Sequence, residues 1–112
     1  MKTSPLITKS KVFALQVIRV CDTIKGRHVL TNQLLRSGTS IGANIREAFY
    51  AHSRADFIAK LQIALKECAE TEYWLELLAE SGYYRDESIE AQCEELKRML
   101  ISSIKTAKEN ET

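Results

Sequence analysis

The stretch from Leu34 to Ala48, LLRSGTSIGANIREA, limits the fold of this chain more than any other. Rotated as a helix at roughly 100° per residue, it puts Leu34, Gly38, Ile41, Ile45, Ala48 and His52 on one side. Arg36, Ala43, Glu47, Tyr50 and Arg54 lie opposite, and Ser37, Ser40, Asn44 and Ala51 fill the strip between. Gly38 and Gly42 would each cost a helix interior about 1 kcal/mol against alanine. Such a helix needs compensation, and small residues supply it by letting a second helix come very close. The segment is therefore a packing surface first, and it names no reaction.

Four glycines and one proline in 112 residues leave few places to turn, which points to long helices. The first is expected over residues 5–25, with Ser4 as cap, Pro5 at the first helical position, Gly26 as stop, and Leu6, Phe13, Val17, Val20, Cys21 and Ile24 inward. The second covers 31–51 with Thr31 as cap. The third covers 54–81, opened by Ser53 and Asp56 in a Ser-x-x-Asp capping box and closed by Gly82. The fourth runs over 86–108, turns Ile89, Cys93, Leu96, Leu100, Ser103 and Ala107 inward, and frays into the polar KENET tail. Short connections make consecutive helices antiparallel, so the fold class is all-α, an antiparallel up-and-down four-helix bundle forming one domain over residues 1–112.

Several classes of function fall away on composition. No run approaches the roughly 18 apolar residues of a membrane span, and MKTSPLITKSK lacks the apolar core of a signal peptide, so the expected setting is the cytoplasm, away from membranes. Cys21, Cys68 and Cys93 are widely separated, odd in number and without CxxC spacing, which reads as reduced core thiols rather than a disulfide framework or a zinc site. His28 and His52 are isolated, and His52 with Asp56 falls short of the three or four ligands a metal needs. The glycines of SGTSIGAN have neither the GK[ST] ending nor the preceding strand of a phosphate loop. No metal, cofactor or small-molecule substrate is expected, and without a grouped acid, base and nucleophile the chain reads as a non-enzyme.

Two details of the helical wheels go beyond the fold. The inner face of the third helix reads Phe57, Leu61, Ala64, Leu65, Cys68, Glu72, Leu75 and Ala79, which places a carboxylate in an apolar stripe. A buried Glu72 needs a partner, so a polar network with Asn44, Arg36 or Ser37 of the second helix is expected. Val12, Leu15, Ile63, Trp74 and Leu77 point away from the inner faces and read as a subunit interface.

The net charge of +1 hides a division. Residues 1–54 hold nine Lys or Arg against two acids, a balance of +7, and the remainder holds seven against thirteen, a balance of −6. Either the basic half attracts nucleic acid or the halves neutralise one another within or between subunits. Arg36, Arg46, Tyr50 and Arg54 on or beside the outer face of the second helix, with Lys9, Lys11 and Arg27 nearby in sequence, form the candidate phosphate-binding set.

The chain also resembles a known family. Arg36, Ser40, Ile41, Ala43, Asn44, Ile45 and Glu47, then Asp56 and Phe57, then Glu70, Tyr73, Trp74 and Leu75, follow the pattern of the bacterial 23S rRNA intervening-sequence proteins, the S23 family. That family is similar in turn to the accessory variability protein of diversity-generating retroelements, a pentameric barrel that binds nucleic acid. The resemblance implies a four-helix bundle that self-associates as a ring, a homopentamer, and binds RNA or another nucleic acid. The rival reading is an oligomeric scaffold or protein adaptor with no nucleic-acid role.

Overall fold

The computed structural model describes residues 4–110, which form four helices: α1 (Pro5–Thr23), α2 (His28–Phe49), α3 (Arg54–Glu80) and α4 (Glu87–Glu109). Their ends follow local chemistry. The Leu6 amide donates to Ser4 Oγ (3.2 Å) ahead of Pro5, the Asp56 amide donates to Ser53 Oγ (3.1 Å), and Asp86 Oδ1 accepts from the amides of Ser88 (3.0 Å) and Ile89 (3.2 Å). After α3 the chain reverses at Gly82, whose φ of +81° suits glycine, and the Tyr83 and Tyr84 amides both donate to the Leu78 carbonyl. The start of α2 differs from expectation. Thr31 lies inside the helix and is buried, and its hydroxyl donates back to the Arg27 carbonyl (3.0 Å), so α2 begins three residues earlier, at His28. A threonine satisfied by the preceding turn has no need to serve as a cap.

Consecutive helices pack on one another and α4 closes the ring of four against α1, the least extensive of the four contacts. The pairings fix the directions. Gly38 and Gly42 of α2 lie against Val17 and Ser10 of α1, Arg36 and Glu47 of α2 reach Glu67, Glu70 and Lys60 of α3, and Cys68 and Glu72 of α3 meet Cys93 and Lys97 of α4. Each pair runs antiparallel, giving the up-and-down bundle. One continuous core holds Phe13, Val17, Leu34, Ile41, Ile45, Leu61, Leu78, Ile89, Leu96 and Leu100, all fully buried or within about 1% of it.

The inner face of α3 corrects the sequence reading. The buried residues are Ile58, Leu61, Ala64, Cys68, Thr71, Leu75 and Leu78, so Thr71 occupies the place expected for Glu72. The series Leu61, Cys68, Leu75 and Ala64, Thr71, Leu78 repeat every seven residues. An unbent wheel drifts about 20° per heptad from such a repeat, enough over this long helix to exchange neighbours such as 71 and 72. Glu72 is instead part-exposed and bonded to Lys97 Nζ of α4 at 3.0 and 3.2 Å. Asn44 donates to the Ser40 carbonyl of its own helix, and Arg36 is exposed. The polar pair inside the core is Thr71 with Ser37, hydroxyl to hydroxyl at 2.9 Å, so of the expected network only Ser37 is buried. Neutral hydroxyls there avoid the desolvation cost of an ion.

The glycines of α2 act as the sequence implies. A Cβ at Gly38 would stand 3.0 Å from both methyls of Val17, and one at Gly42 would stand 3.3 Å from Ser10 Oγ. Val17 is fully buried and, being β-branched, has little rotamer freedom in a helix. Overpacking costs about 1–3 kcal/mol against a helix-propensity gain of about 1 kcal/mol. Gly38→Ala should therefore lower stability in urea unfolding by about 1 kcal/mol. Gly42→Ala, facing a hydroxyl with more room, should be neutral or slightly stabilising. Equal gains from both would show that α1 and α2 can move apart at no cost.

Candidate nucleic-acid interface

The six cations singled out in the sequence have different surroundings. Arg36 spans α2 and α3, bonding Glu67 through Nη1 (3.2 Å) and Glu70 through Nη2. Lys9 of α1 bonds Glu95 of α4 at 2.8 Å. Arg27 lies over the Tyr83 ring, 4.0 Å from its centroid, and ties the α1–α2 connection to the α3–α4 connection. Arg54 directs Nη1 at the Ala107 carbonyl near the end of α4 (3.4 Å). Among the described residues only Lys11 and Arg46 of this set have no ion pair, side-chain hydrogen bond or ring contact.

Those two line one groove. It holds about 330 Å³ between α1 and α2, bounded by Ile7, Ser10, Lys11 and Ala14 on one helix and by Thr39, Gly42, Ala43 and Arg46 on the other. Its shape follows from the small residues. Gly42 lets the Ser10 side chain and carbonyl approach to within about 3.5 Å of where a Cβ would be, and Ala43 and Thr39 leave a low wall above that contact. Arg46, in the last turn of α2, also offsets the negative end of the helix dipole without using its guanidinium donors. Ile18 and Leu35, both partly exposed, lie on the same rows one turn beyond Ala14 and Thr39.

The structure also places basic residues that a division of the sequence into halves conceals. Lys105 and Lys108 of α4 are exposed and border a shallow groove with Ile101, Gln62, Leu65 and the acid Glu109. Arg54 reaches the adjacent Ala107, so these lysines share its pole of the bundle. Both fall in the net-acidic part of the sequence, and only the antiparallel return of α4 carries them there. The acids of α3 and α4 are partly spent on the basic half, as the Arg36 and Lys9 pairs show.

The apolar residues expected to face outward divide in two. Val12, Leu15 and Ile63 are between 42% and 47% exposed. Trp74 and Leu77 are only part-exposed, and Trp74 packs against the core. The same phase drift accounts for this, since the stripe runs through Thr71, Leu75 and Leu78 and draws Trp74 and Leu77 toward the α2 side. On α3 the large apolar side chain that stands out most is Tyr73, at 53% exposure, with its ring 5.2 Å from the Trp74 ring. The Trp74 indole donates to Glu70 Oε2 (3.0 Å), the carboxylate oxygen that also takes Arg36.

The model of the family described as 23S rRNA-intervening sequence protein matches residues 2–102. The chain belongs to that family. A solved structure from Bacteroides thetaiotaomicron, titled as a protein of unknown function from the S23 ribosomal protein family, is similar to this family member with a TM-score of 0.85 and 50% identity. The match covers 89% of this chain and 98% of that one. No curated protein matches. At that identity the bundle architecture is a property shared with a known S23 structure.

Glu70 gives the interface of α2 and α3 a pH dependence. The Trp74 and Arg36 hydrogen bonds hold its carboxyl below the usual range. Its folded pKa is thus depressed, so its contribution is fully present above the unfolded value of about 4.3 and is lost as pH falls through the lower folded value. Emission from Trp74, the chain's one tryptophan, should change through that acid window, and Glu70→Gln should remove the change while leaving emission at pH 7 close to that of the unaltered protein. An unaltered acid transition in the variant would assign it to another carboxylate.

Proposed function

We propose that this bundle is a non-enzymatic nucleic-acid-binding protein of the cytoplasm, acting as a homo-oligomeric ring and holding RNA backbone along the α1–α2 groove. The observation that carries the reading is the pairing of Lys11 and Arg46 on one groove with no internal partner for either among the described residues. Cations already matched to carboxylates exchange one partner for another on binding, whereas these two gain phosphate contacts outright. Arg54, Lys105 and Lys108 extend the basic surface at the adjoining pole, while Arg36, Lys9 and Arg27 serve the fold. The small residues of α2 thus have two uses, admitting α1 on the inside and leaving room for a backbone on the outside.

Two phosphate contacts per protomer bind weakly. A ring repeats the groove by symmetry, and linked sites raise the effective concentration after the first contact. A homopentamer is the assembly implied by the resemblance, with the exposed Val12, Leu15 and Ile63 as its apolar contact residues. Those side chains also support the second reading, a ring-shaped scaffold or protein adaptor that does not bind nucleic acid.

One measurement separates these readings, and a second tests the ring that both assume. In fluorescence anisotropy with single-stranded RNA, affinity should fall as salt rises, with a log–log slope near −1.4 for each protomer engaged, about −0.7 per phosphate. Lys11→Glu with Arg46→Glu should weaken binding at about 50 mM salt by at least about tenfold while the protein stays folded. Absence of binding by the unaltered protein at that salt would leave the scaffold reading in place. Light scattering should give a mass several times the 12.7 kDa of one chain, reduced by Leu15→Glu, and a monodisperse monomer would remove the ring.

A further inference from the structure

Cys68 and Cys93 are far apart in sequence but face each other across the α3–α4 contact. Both are completely buried, their sulfurs are 3.7 Å apart, and each thiol points at the other's backbone carbonyl, at 3.3 and 3.6 Å. Such reciprocal contact requires the two backbones to be near each other at this level of the bundle. A disulfide has a sulfur separation of about 2.05 Å. The sulfurs must therefore close by little more than 1.6 Å. Cys21 is elsewhere, half-buried on α1 with its thiol directed at the Thr31 carbonyl (3.5 Å), so the pair has no third thiol competing within the bundle.

In the closed bundle the pair is quiet. Oxidation begins from a thiolate, and the hydrogen bond with Cys68 together with burial keeps the Cys93 thiol protonated. Access requires α4 to lift. That helix is held by α3 on one side and by its slighter contact with α1 on the other, so its detachment is the local opening that exposes the pair while leaving the extensive α2–α3 contact in place.

We propose that Cys68 and Cys93 form an oxidant-sensitive staple that locks α4 onto α3. With a peroxide as oxidant, the thiolate of one cysteine attacks a peroxide oxygen, becoming a sulfenic acid and releasing water once the leaving oxygen is protonated. The second sulfur attacks the first and expels that oxygen as a second water. In sum, two thiols lose two hydrogens and two electrons to one peroxide, and an S–S bond replaces the two S–H bonds. The cross-link joins residues 25 apart and restricts the unfolded chain, so it stabilises the oxidised protein.

The test uses the full chain carrying Cys21→Ser, treated with hydrogen peroxide, denatured and alkylated with iodoacetamide. The expected product has lost two hydrogens, takes up no alkyl group and yields one Cys68–Cys93 linked peptide. Its melting temperature should rise by roughly 10 °C or more, reversibly with dithiothreitol. Cys93→Ser in the same background should give neither the cross-link nor the rise. Recovery of two alkylated thiols, of sulfinic acid at either position, or of disulfide-linked dimers under conditions that fully oxidise Cys21 in the unaltered chain would overturn the proposal.

Discussion

The contact of Gly38 with Val17 is the constraint on which the rest of the bundle depends. Two methyl groups fill the space a side chain would take, and that proximity sets how far apart α1 and α2 run along their length. Gly42 against Ser10 continues the approach one turn on. Because the helices are drawn together from the inside, the outer surface above them is a groove rather than a ridge, and Lys11 and Arg46 stand on its edges. The propensity lost at two glycines is offset by packing.

Charge is organised in a second layer around this packing. Carboxylates of α3 and α4 neutralise Arg36 and Lys9 of the first two helices, Lys60 of α3 pairs in the opposite sense with Glu47, and Glu72 finds Lys97 within its own half. Lys97 is consequently held protonated well above its ordinary range by Glu72 and Glu94. Most of these pairs are partly wet, so each contributes little to stability and more to the register of neighbouring helices. Lys11 and Arg46, by contrast, border a groove whose lining holds no acid.

Much of this was legible in the residues. Ser4, Pro5, Ser53, Gly82 and Asp86 mark helix ends through local hydrogen bonds and backbone angles, which a sequence states directly. The inner faces of α1, α2 and α4 follow an apolar period that survives small errors of phase, with one exchange in α4, where Ile104 rather than the expected Ser103 is buried. α3 did not yield in the same way, because its long heptad repeat departs from an ideal wheel and Thr71 rather than Glu72 enters the core. The candidate site was legible only in part. Exposed arginines can be counted in a sequence, but whether Arg36 or Arg46 already has a carboxylate depends on which acids of α3 come alongside. The meeting of Cys68 with Cys93 and the arrival of Lys105 and Lys108 at the same end of the bundle as Arg54 depend likewise on the register of the α3–α4 hairpin.

The short connections between helices bear on how the molecule assembles in time. Every helix has its successor in the chain as a packing neighbour, so the separation between contacting residues stays low, a topology associated with folding in microseconds to milliseconds. During synthesis α1 and α2 are complete before α3 appears, and the glycine contacts between them need nothing made later. α3 then adds the most extensive helix contact and buries Thr71 against Ser37. α4 docks last, onto a surface already formed, and until it does the thiol of Cys68 and the inner side of α3 face water. In the interval before that docking, the inner side of α3 and the apolar face of α4 with Ile89, Leu96 and Leu100 are uncovered together, the kind of surface on which chains aggregate.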